Sequence, residues 1–173
     1  MTRTIHRSGR ALIASLACLV MMPLAALAQA PIPARDFVRE TANVQMFGIE
    51  SATLALHKSG SPAIKEFAHQ LASEQGAVTS GLRRIVARRS DVALPDRPDA
   101  RHLDLLRDLS GKQGAAFDEA YVAAQRSAHH EAALLMERYA GEGEDAELRD
   151  FATQSLPVFR ELDRKAQALP ATP

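Results

Sequence analysis

Phe37, Val44, Phe47 and Leu54 recur at steps of three or seven through a stretch, residues 34–59, that holds no proline and one glycine, Gly48. That is helical spacing. Ser59-Gly60-Ser61-Pro62 then predicts a stop and a start, with glycine past one helix end, serine as the next N-cap and proline at the first helical position. Ile64, Phe67, Leu71, Val78, Leu82 and Ile85 mark one face of a second helix that reaches about Ser90. Asp91–Pro98, with Pro95 and Pro98, reads as a loop. Asp99–Leu109 reads as a short helix with Leu103, Leu106 and Leu109 inward, ended by Ser110-Gly111. A third long helix is expected from about Gln113 to Tyr139 on Phe117, Tyr121, Ala124, Ala128, Ala132, Leu135 and Tyr139. Gly141-Glu142-Gly143-Glu144 reads as a flexible turn, with Asp145 as the following N-cap. Leu148, Phe151, Ser155, Phe159, Leu162 and Ala166 then carry a fourth long helix to about Leu169. Pro157, inside it, should bend that helix or leave a carbonyl unpaired.

Four long helices with short connections predict an all-α, antiparallel four-helix bundle. The longer, proline-bearing connection between the second and third long helices holds the short extra helix. Arg83, Arg84, Arg88 and Arg89 crowd the end of the second helix, where they complement the negative end of its dipole. Val38, Ile49 and Leu56 lie off the main stripe of the first helix, so that helix is apolar on more than one side. Either another copy or an envelope protein packs there, or the proline-bearing connection covers it.

Composition supports the helical reading. Hydrophobic residues make up 46%, yet only 5% are aromatic and tryptophan is absent. Sheets favour aromatic and β-branched side chains, whereas alanine suits close-packed helices. The overall balance of 21 basic and 21 acidic residues hides an asymmetry. Arg3, Arg7 and Arg10 open the chain without an acid, an uncharged apolar run follows, and it ends Ala26-Leu27-Ala28. That pattern predicts a secretory signal peptide over residues 1–28, cut after Ala28, and hence a periplasmic protein. Pro23 and the small-residue terminus argue against a retained anchor. The remaining domain, 29–173, carries three more acidic than basic groups, which gives no electrostatic footprint for nucleic acid or for an anionic membrane. Cys18 falls in the signal, so the domain has no thiol and no disulfide.

Chemistry in a bundle sits where polar side chains interrupt the apolar stripes of facing helices. Glu74-Gln75 falls between Leu71 and Val78, Glu50 flanks the first stripe, His129 follows Ala128, and Glu131 lies at the other edge of that stripe. Glu50, Glu74, His129 and Glu131 are therefore the candidate ligands for iron or manganese through oxygen and nitrogen donors. Ser155 is the only polar residue that the fourth helix turns inward. Glu66-Phe67-Ala68-His69 has the Glu-x-x-His spacing of di-iron bundles, but Phe67 and Leu71 fix the buried face and turn Glu66 and His69 outward. His57 and His130 are expected on the surface. No phosphate-binding glycine loop and no Gly-x-Ser-x-Gly setting occurs, so the chain is read as non-enzymatic.

Phe117-Asp118-Glu119-Ala120-Tyr121, Gln125, His129 and Glu137-Arg138-Tyr139-Ala140 resemble the bacterial family catalogued as domain of unknown function 4142. So do Asp145-Ala146-Glu147-Leu148-Arg149-Asp150-Phe151-Ala152 and Leu156-Pro157 with Arg160. The resemblance spans roughly residues 35–169 and implies a ferritin-like bundle in an exported protein, often labelled an outer-membrane protein, with no established reaction. Yet after the first segment no apolar run approaches the ~20 residues of a spanning helix. The family pattern also implies an acid followed by histidine in the second helix and a histidine late in the fourth. Glu74-Gln75 and Leu162 stand there instead, so half of the implied imidazoles are missing while Glu50 and His129 match. Two readings follow: a non-enzymatic periplasmic bundle that serves envelope maintenance or stress by binding a partner, or a ferritin-like iron or manganese protein.

Overall fold

Three helix starts in this chain are set by short polar side chains, Ser61, Asp99 and Asp145, that accept from otherwise orphaned backbone N–H groups. The structure, a computed structural model, describes residues 31–170; the segment read as a signal peptide and residues 171–173 lie outside them. Five helices are present among the described residues: α1 (Ala34–Lys58), α2 (Pro62–Val86), α3 (Ala100–Gly111), α4 (Gly114–Glu142) and α5 (Ala146–Ala168). Ser61 caps α2 and Pro62 opens it, as the sequence predicts. Asp99 accepts from His102 N at the start of α3, and Asp145 accepts from Leu148 N at the start of α5, both at 2.9 Å. Opposite ends are closed by long cations. Lys58 Nζ donates to the carbonyls of Ser110 and Lys112, and Arg126 Nη2 donates to Leu169 O at 2.6 Å.

Two details differ from the sequence reading. The third long helix runs on through Gly141 and Glu142, so the turn to α5 is only residues 143–145. The arginines at the end of α2 do more than offset its dipole: Arg89 bridges Asp91 and Asp145, and Arg88 pairs with Glu147, which braces α2 against the start of α5. Pro157 lies inside a continuous α5 on its exposed face, and of the two outcomes the sequence predicts it leaves a carbonyl open, where water can reach it.

Among the described residues the only regular elements are helices. Helix α1 packs on α2 and α4, and α5 packs on α4 and α2, so the four long helices close a ring of neighbours. The connections 59–61 and 143–145 are too short for anything but antiparallel hairpins. The short α3, in the predicted connection, lies across α1 and α4. Leu94 from that connection packs on the core, and Val38 is fully buried within the chain. Ile49 and Leu134 remain exposed. No helix among the described residues is long and apolar enough to cross a membrane.

The core divides in two. One cluster joins Phe37, Val44, Val78, Leu82, Ala132, Met136, Tyr139 and Phe159. The other joins Phe47, Ile64, Phe67, Leu71, Tyr121, Ala128 and Leu162. Each long helix crosses from one cluster to the other, between Val44 and Phe47, Leu71 and Val78, Ala128 and Ala132, and Phe159 and Leu162. What lies at that waist is polar.

Candidate functional site

Gln45, Gly48 and Ser51 come to the waist from α1, Gln75 and Thr79 from α2, and Gln125 and His129 from α4. Ser51, Gln75 and Gln125 are fully buried, His129 is 1% exposed and Gln45 2%. These positions face inward because each keeps step with apolar neighbours. Gln75 is four residues past Leu71 and three before Val78, and Gln125 and His129 follow Tyr121 by four and eight.

The hydrogen bonds among them run in one direction. Ser51 donates to the Gly48 carbonyl at 3.1 Å, and Gln125 Nε2 donates to Ser51 Oγ at 2.9 Å. The other end of that amide, Oε1, can only accept, and it lies 3.1 Å from His129 Nε2. His129 therefore carries its proton on Nε2, and Nδ1 is left as a buried lone pair with no hydrogen-bond partner. Burial drives the His129 pKa down to about 4, the Asp163 carboxylate opposing more weakly, so the ring is neutral at pH 7. Phe67 meets the ring edge-to-face with centroids 5.8 Å apart. Nearby, Thr79 donates to Gln45 Oε1 at 2.9 Å, and the buried Tyr121 hydroxyl, its pKa raised by desolvation, has no partner.

Gln75 sits flat against α1. A Cβ on Gly48 would lie 3.4 Å from both Cγ and Nε2 of Gln75, in van der Waals contact, so the amide is packed closely between the two helices. Neither Oε1 nor Nε2 of Gln75 has a hydrogen-bond partner. Unpaired buried polar atoms are costly, so Gln75→Leu is expected to stabilise the protein by roughly 1–3 kcal/mol. Urea unfolding would measure it, and a fall in stability would mean that the amide is engaged in solution.

The candidate ligands read from the sequence are not gathered here. Glu50 is exposed, because Ser51, one residue on, takes the inward position. Glu74 is half-buried beside the inward Gln75. Glu131 is on the surface, held by a two-pronged ion pair with Arg101 at 2.7 and 2.8 Å and by Ser127. Arg101 keeps the Glu131 carboxyl below the usual carboxylate range. Of the four, only His129 is in the core. Among the described residues no group of three or more His, Cys, Asp or Glu side chains is placed to hold a metal ion. Glu66, His69, His57 and His130 are exposed, as expected, and Ser155 is buried.

Several buried polar residues are not among the candidates that the sequence offers: Thr41, Asn43, Gln45, Ser51, His102, Asp118 and Gln125. The available signal was spacing to apolar neighbours, since Ser51 is Phe47 plus four, Gln125 is Tyr121 plus four and His102 is Leu106 minus four.

The model of the family described as domain of unknown function (DUF4142) matches residues 21–169. A solved structure described as "CopM in the Cu(II)-bound form" is similar in three dimensions, with a TM-score of 0.65 and 14% sequence identity over 80% of this chain and 96% of that one. At that identity the likeness shows a shared fold. No curated protein matches the chain significantly.

Proposed function

We propose, from the premise that this chain belongs to the domain of unknown function (DUF4142) family, that it is an exported ferritin-like four-helix bundle of the periplasm. It catalyses no reaction and serves envelope maintenance or stress by binding a partner, an envelope protein or a second copy. One observation supports this reading above others. The polar waist, where a ferritin-like bundle would carry carboxylates and imidazoles, is furnished with neutral amides, hydroxyls and a single neutral imidazole. Such groups fix helix packing and offer little to activate water or oxygen.

A second reading, a metal protein using Glu50, Glu74, His129 and Glu131 for iron or manganese, draws on one feature: the buried Nδ1 lone pair of His129. A similar fold is also known in a Cu(II)-bound form, which extends the metals to be measured to copper. Elemental analysis of untagged protein purified from the periplasm separates the two. The partner-binding reading expects substoichiometric iron, manganese and copper, unchanged in His129→Ala. One equivalent of metal that disappears with His129→Ala would overturn it in favour of the metal reading.

A further inference from the structure

Outside the waist, α1, α3 and α4 enclose a cleft of about 180 Å³. Val44, Ala132 and Leu135 form apolar wall, and the exposed Arg101–Glu131 ion pair stands at its edge. One polar side chain lining it is buried: His102, 4% exposed. Its ring is fixed from behind. Nδ1 lies 2.8 Å from Asp99 Oδ1, which also accepts from His102 N. Asp99 is itself clamped, with Oδ2 accepting from Asn43 Nδ2 at 3.0 Å and its N–H donating to Asn43 Oδ1 at 3.2 Å. Phe47 packs against the ring with centroids 5.4 Å apart. With Nδ1–H committed to a carboxylate, the ring in its neutral form presents Nε2 as a lone pair. Among the described residues Nε2 has no hydrogen-bond partner, and it is not sealed from solvent.

We propose that this cleft is a binding site for a small, compact, apolar molecule bearing one O–H donor, of the phenol or short-alcohol class. The hydroxyl donates to His102 Nε2 while the hydrocarbon body covers Val44, Ala132 and Leu135. The size fits one ring, since an apolar cavity of about 150 Å³ holds benzene. The chemistry fits a neutral donor: the buried groups supply one acceptor and an apolar wall, and the charged groups at the edge are already paired, Arg101 with Glu131 and Glu40 with Arg39. None of these residues belongs to the waist, and the site stands whether or not the partner-binding role does.

The test titrates phenol, and separately toluene, into the full chain while the His102 ring and Ala132 amide signals are followed by NMR. Phenol should shift both signals saturably, and toluene, equal in size but without a donor, should bind about tenfold more weakly. Ala132→Leu, which fills the cleft, should abolish phenol binding while helix content by circular dichroism stays unchanged. Equal affinity for phenol and toluene, or shifts centred elsewhere on the molecule, would overturn the proposal. So would phenol binding that survives in folded Ala132→Leu. If that variant fails to fold, the phenol-to-toluene ratio and the location of the shifts in the unaltered protein decide.

Discussion

Phe37→Ala is expected to cost about 3–5 kcal/mol of stability, the range for removing a fully buried aromatic side chain. Phe37 is 0% exposed and lies face to face with Tyr139, with centroids 3.8 Å apart, and edge-on to Phe151 at 6.3 Å. It joins the first turn of α1 to the end of α4 and the start of α5, and little else there can move into the space. Tyr139 is also crowded by Gly143, where a Cβ would lie 2.5 Å from the ring. The cavity would therefore persist rather than collapse, which puts the cost toward the upper end. A thermal melt should fall by roughly 10–15 °C for a domain of this size. A shift of only one or two degrees would show that the aromatic stack contributes little.

Acid is the second large effect. His129 has a folded pKa of about 4 against an ordinary value of 6.5, because burial penalises the imidazolium. Between those two values the unfolded chain binds a proton that the folded chain does not, so stability falls as pH falls. The contribution is complete above pH 6.5 and is lost progressively down to about pH 4, on the order of 3 kcal/mol in all. The carboxylates with depressed values, such as Asp99 and Glu131, lose their contributions at lower pH, because theirs begin to go only at the ordinary carboxylate value. Urea unfolding at pH 7, 6, 5 and 4 should thus show a loss ahead of general acid denaturation. His129→Leu should flatten that part of the profile. A slope between pH 6.5 and 4 that is the same in both proteins would refute the assignment.

Much of the architecture is legible because helix punctuation is local. Ser61-Pro62 and Asp145 start helices for reasons contained within four residues, and the leucine and phenylalanine rows mark faces without reference to the rest of the fold. The interior polar groups are harder to see. A hydrophobic stripe is traced through apolar residues, so an inward glutamine reads as a gap. In α4 the traced row followed Ala124, which is half-buried, whereas a second row runs Asp118, Val122, Gln125, His129, Ala133, Met136 and is buried throughout. Alanine fits either row, and only contact with α1 shows how wide the buried face is. Glu74 and Gln75 lie about 100° apart on the helix, so a small error in its rotation exchanges a candidate carboxylate for the amide that is buried. His102 is hidden differently: it joins a capped helix start, a stack and a cleft at once, and Phe47, which packs on its ring, and Asn43, which holds its partner Asp99, come from another helix.

The polar waist also acts as an axial ruler. Sliding any one long helix by a single turn, about 5.4 Å, would keep its apolar stripe facing its neighbours and so cost little in burial alone. Such a slip of α4 would pull Gln125 away from Ser51, carry it with His129 into a layer of leucine and phenylalanine, and strand the amide and imidazole groups in hydrocarbon. Two greasy half-cores would tolerate several alignments; the band of amides between them permits one.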